Sequence, residues 1–93
     1  MEHNINMAFG KPIRITFIAS PYAIPGIIDT FGKGVCLSQN QNGQYECVVN
    51  IPEYDMYRWA LQNCDQVFVT DPKELVFNIR DALNSSIKHY EKR

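Results

Sequence analysis

The chain has 93 residues, the size of one domain, and can bury roughly 60–70% of the surface its unfolded form exposes. A hydrophobic share of 45% beside 20% charged residues excludes an intrinsically disordered chain, and a net charge of −1 excludes the broad basic face that phosphate-backbone binding requires. No apolar run reaches ~18 residues and no stretch has the makeup of a signal-peptide core, so the expectation is a cytoplasmic protein with no membrane partner.

Residues 1–10, MEHNINMAFG, alternate Ile5, Met7 and Phe9 and are expected as an extended arm. The stretch IRITFI at 13–18 sets Ile13, Ile15 and Phe17 against Arg14 and Thr16, the period of a strand with one face in a core. Ser20-Pro21 then offers an N-cap and a first-turn proline. The helix that follows carries Ile24, Ile27, Ile28 and Phe31 at helical spacing, and Pro25 makes it start later or bend. Gly32 and Gly34 end it; Gly32-Lys33-Gly34 is too short for a phosphate loop and follows a helix instead of opening one.

Residues 35–39 and 44–51 read as two strands around Asn42-Gly43, a hairpin turn signal. The register stays open, and with it whether Cys36 and Cys47 share a face. Pro52 stops the second strand. A helix is expected from about Asp55 to Asn63, with two tilts equally open. One buries Tyr57, Ala60, Leu61 and Cys64 and leaves Arg58 and Trp59 outside; the other buries Met56 and Trp59.

Residues 66–70 form a fourth strand, QVFVT. The last helix opens with Asp71 as N-cap, Pro72 at the first helical position and Glu74 three residues after the cap, features worth roughly 0.5–1.5 kcal/mol each. Its apolar stripe is Leu75, Ile79, Ala82, Leu83, Ile87 and Tyr90, flanked by Val76. At about 100° per residue Phe77 points away from that stripe, either as an isolated exposed ring or as one covered by another domain or subunit.

Two strand–helix–strand units with right-handed crossovers predict an α+β fold, a ferredoxin-like sandwich (βαββαβ) with an added C-terminal helix. Cys36, Cys47 and Cys64 have no CxxC spacing and are expected as reduced thiols lining the core, and His3 and His89 lie near opposite termini, so neither a metal site nor a cofactor is expected. No nucleophile elbow, P-loop or HExxH is present, and no Ser or Thr has a His in register with it. A free-standing small-ligand-binding or acylphosphatase-like protein is the alternative, although IASPYAIPG stands where a Gly/Arg-rich anion cradle would follow the first strand.

The tail WALQNCDQVFVTDPKEL, from Trp59 to Leu75, resembles the C-terminal extension (WCX) domain of bacterial WYL-domain transcriptional regulators. It shares their Trp, Leu, turn, Val-x-Val strand, Pro, Leu and a long helix ending at Tyr90. KPIRITFIASPYAIPGIIDTFG is similar to the opening strand and first helix of that domain, and NGQYECVVNI to its hairpin. Two positions depart: Cys64 stands where the family usually has Gly, and Val76 where an Arg is frequent. The resemblance implies a non-catalytic regulatory piece at 11–93, with 1–10 leading in from a preceding WYL domain. Its partners would be the WYL and helix-turn-helix domains of the longer regulator and, in full length, a second copy. It also implies dimerisation, an effector pocket nearby, and nucleotides or nucleic acids among the effectors. On its own such a piece is not expected to bind operator DNA. Phe77, with Trp59 and Arg58, is the expected interface, and Arg14, on the outward side of the first strand, the expected contact to an anionic effector.

Overall fold

In the computed structural model, which describes residues 11–91, the elements run β1 (Ile13–Ala19), α1 (Ile24–Phe31), β2 (Cys36–Gln39), β3 (Tyr45–Ile51), α2 (Glu53–Gln62), β4 (Val67–Asp71) and α3 (Lys73–Glu91). The arm expected at 1–10 lies outside the described residues. The strands form one antiparallel sheet in the order β2-β3-β1-β4, so the architecture is α+β, with three helices against a four-stranded sheet. The alternation in IRITFIA is realised directly: Ile15, Phe17 and Ala19 are fully buried while Arg14 is exposed. Cys47 and Val49 of β3 and Val67 of β4 share that buried side. Among the described residues, no polar or charged residue is buried.

The opposite face of the sheet is open. It carries Arg14, Thr16 and Ile18 from β1, Glu46, Val48 and Asn50 from β3, Cys36 and Ser38 from β2, and Phe68 from β4. The pairings Cys36↔Val48 and Leu37↔Cys47 settle the register and set Cys36 and Cys47 on opposite faces. The expectation that all three thiols line the core is corrected: Cys47 is buried, whereas Cys36 and Cys64 are exposed. Cys36 sits on the open face of an edge strand, and Cys64 falls in the turn after α2 has ended.

The proline signals act one step away from where they were expected. Residues Pro21–Ala23 form a single 3₁₀ turn, and Ser20 makes no side-chain cap; the α-helix begins at Ile24, with Pro25 in its first turn where a missing N–H costs nothing. Gly32 then ends α1 at φ +61°, a conformation that a Cβ disfavours. Helix α2 starts at Glu53 instead of Asp55, because the Pro52 carbonyl accepts from the N–H of Asp55 and Met56 at 3.1 and 3.3 Å. Likewise Asp71 is the last residue of β4, paired with Thr16, and the Pro72 carbonyl takes the first helical bond from Val76 N–H at 3.1 Å. The hairpin closes over three residues, with Gly43 at φ +82° and the Asn40 side-chain oxygen accepting from the N–H of Asn42 and Gln44 at 2.9 and 3.0 Å.

Of the two tilts open to α2, the one that buries Met56 is adopted, with Ala60 beside it. Trp59 is half-buried, its ring 5.4 Å from Phe17 and 5.0 Å from Phe31, both in edge-on geometry. The long stripe on α3 is only half used. Leu75 and Ile79 are buried and Leu83 packs against the core, but Ile87 is 50% exposed and Tyr90 78%. The reason is length: 19 residues of α3 span about 28 Å, against about 15 Å for the 10 residues of α2, so the last turns run beyond anything that covers them.

Two substitutions separate core from surface. Trp59→Ala is expected to lower the unfolding free energy by about 2–4 kcal/mol, somewhat less than for a fully buried ring. Phe77→Ala is expected to change it by no more than about 0.5 kcal/mol. Urea unfolding of the two variants against the parent chain measures both.

Candidate functional site

A concavity of about 740 Å³ lies between the first turns of α2 and the N-terminal half of α3. Glu53, Tyr54 and Tyr57 line it from α2, and Lys73, Glu74, Leu75, Phe77, Asn78, Asp81 and Ala82 from α3. The two prolines create it: Pro52 and Pro72 each start a helix immediately after a strand, so two helix N-termini open on the same side of the molecule. Leu75 is buried and forms the floor. Phe77, 66% exposed, stands on the wall where α3 turns away from the core.

Three rings therefore meet in one groove. Tyr54 and Tyr57 are stacked with centroids 6.1 Å apart and planes at 29°. Arg58 attends the same ring, its Nη1 donating to the Tyr54 hydroxyl at 3.0 Å and its Cζ lying 5.9 Å from the ring centroid. The groove is also anionic, with Glu53, Glu74 and Asp81 against Lys73. A first helical turn ordinarily favours a carboxylate. Glu53 nevertheless titrates above its usual value of 4.5, because burial disfavours its charge and the Glu74 carboxylate adds to that.

The residues expected to carry function are dispersed. Phe77 lines this groove, and Arg58 stands beside it, hydrogen-bonded to Tyr54. Trp59 faces the core side of α2 and borders a separate shallow hollow of about 220 Å³ with Tyr22, Thr30 and Asn63. Arg14 lies opposite Asn50 on the open face of the sheet, away from the groove. Sequence reasoning missed Glu53, Tyr54, Tyr57, Glu74 and Asp81. Tyr54 and Tyr57 at i and i+3 were a visible signal for one helix face; the meeting of Glu53 with Glu74 across 21 positions was not. Among the described residues, no group of three or more His, Cys, Asp or Glu side chains is placed to hold a metal ion, and no helix is long and apolar enough to cross a membrane.

Two measurements test this electrostatic picture. Burial, with the nearby Glu46, pushes the Cys47 thiol up to about 11, so at pH 8 only about one Cys47 in a thousand is thiolate. A thiol reagent is expected to modify Cys36 and Cys64 in the native chain and Cys47 only on unfolding, which mass spectrometry of the labelled cysteines resolves. Glu53 has a raised value in the folded state, so its contribution is favourable below the unfolded glutamate value and is lost as pH rises through the folded one. Glu53→Gln is therefore expected to flatten the fall in stability just above pH 4.5, as denaturant midpoints at successive pH values will show.

Comparison of the chain with protein-family models, with curated proteins and with solved structures gives no match in any of the three.

Proposed function

We propose that this chain is a non-catalytic regulatory domain that docks onto other parts of a WYL-type, helix-turn-helix transcriptional regulator, contributes to its dimerisation and takes part in effector sensing. The observation that carries the docking role is the overhang of α3. Its apolar stripe continues through Ile87 and Tyr90 for two turns beyond the core, where a partner would cover it. The sequence resemblance supplies the identity of that partner: the WYL domain of the same regulator or a second copy of it.

The fold is read as a ferredoxin-like sandwich with α3 added. The strand order β2-β3-β1-β4, the antiparallel sense of every neighbouring pair and the placement of α1 and α2 between strands two positions apart all support it. Of the three expected interface residues, Phe77 and Arg58 stand at the surface, whereas the Trp59 ring is clasped within the chain. Arg14, on the open sheet face with Asn50 across from it, is the contact proposed for an anionic group. The groove residues include no Ser, Cys or His, which favours binding over nucleophilic chemistry there.

The test uses Ile87→Gln with Tyr90→Gln, which keep good helix formers on an exposed surface. In the full regulator this double variant is expected to weaken dimerisation or interdomain docking by about tenfold or more, as sedimentation over a range of concentrations reads out. The unfolding midpoint of the 93-residue chain should stay where it was. An unchanged association constant would remove the docking role of α3.

A further inference from the structure

We infer that the groove between α2 and α3 is a binding site for a small organic cation, one that carries an ammonium or guanidinium group. The groove has the volume of a small-molecule pocket, about 740 Å³. Its rings, Tyr54, Tyr57 and Phe77, belong to the class of side chain whose faces draw such cations. Tyr54 already holds one guanidinium, that of Arg58, by a hydrogen bond to its hydroxyl and by a cation–π approach. The ring thus sustains in this chain the contact the site would offer a ligand.

Charge decides the sign of the ligand. Glu53, Glu74 and Asp81 set three negative charges against the one positive charge of Lys73. The N-termini of α2 and α3, which both open here, add about half a positive charge each, so the balance is about −1. A phosphate-bearing ligand would have to overcome that balance, whereas a cation is attracted by it. The strain of the present arrangement shows in Glu53, which burial and Glu74 push toward its neutral form; a cation between the two carboxylates would relieve it. Arg14, the residue proposed above for an anionic contact, lies on the other face of the sheet, away from this groove. As an effector class, the cation rests on the regulatory role proposed above, whereas the binding itself does not.

The experiment is a titration of the 93-residue chain with agmatine, which carries both an ammonium and a guanidinium, followed by amide chemical shifts, with adenosine monophosphate as the anionic control. Saturable shifts at Tyr54, Tyr57 and Phe77 are expected with a Kd of about 1 mM or tighter. Glu74→Gln with Asp81→Asn, both exposed and away from the core, is expected to weaken binding about tenfold, as is raised salt. Absence of saturation, undiminished binding by the double variant, or tighter binding of adenosine monophosphate at these residues would each overturn the site. If agmatine binds and the Ile87→Gln/Tyr90→Gln regulator still dimerises unchanged, the site stands and only the docking role falls. The reverse pair of results removes the site alone.

Discussion

Everything in this small fold depends on where Phe17 points. It occupies the middle of the central strand, is fully buried, and reaches Phe31 at the end of α1 and Trp59 in α2 at 6.1 and 5.4 Å. One residue of the sheet thereby fixes two helices, each on its own crossover, and Phe31 and Trp59 close the triangle at 5.0 Å. In a chain of this size a single core has little margin, so a three-ring junction between layers contributes disproportionately to a unique packing. Slipping β1 by one residue would move Phe17 to the open face and Arg14 into the core, which is why the alternation in IRITFIA specifies the register so firmly.

That junction also determines what is left over. With Trp59 turned inward to Phe17 and Phe31, helical geometry turns Tyr54 and Tyr57 outward, about opposite, with Arg58 to one side. Helix α3 packs on that outward side and on β4, anchored by Leu75 and Ile79. The groove is the wedge between two helices that diverge from neighbouring starts. The overhang of α3 has the same origin, because only its first half has α2 and β4 to lie against. Concave anionic surface near the start of α3 and uncovered apolar surface near its end are two consequences of one packing arrangement.

Much of the architecture was legible in the residues themselves. The first strand was readable from alternation, the two hairpin strands from the Asn42-Gly43 turn between them, and the stop of α1 from Gly32. The alternation was reliable in β1 because that strand has one buried and one open face, whereas β2 is exposed at all four positions. What misled was proline. Ser20-Pro21 and Asp71-Pro72 have the pattern of a cap followed by a first helical residue, yet the first pair leads into a 3₁₀ turn and in the second the proline itself stands before the helix. Local signals of this kind place a boundary within a residue or two and do not say which carbonyl takes the first bond. The exposed ends of α3 misled for another reason: periodicity reveals an apolar face but not whether the rest of the chain is long enough to cover it. The groove was hidden from the sequence because its carboxylates come from two helices separated by a strand.

The charge of the chain illustrates the same limit at the level of function. A net charge of −1 argues against a broad basic face. It is silent about segregation. The fold gathers Glu53, Glu74 and Asp81 around three rings on the helical side and leaves Arg14 on the open sheet with Glu46, Asn50 and Thr16. The near-neutral sum thus conceals a concentration of carboxylates on the helical side, separated from the open sheet by the apolar layer that Phe17 anchors.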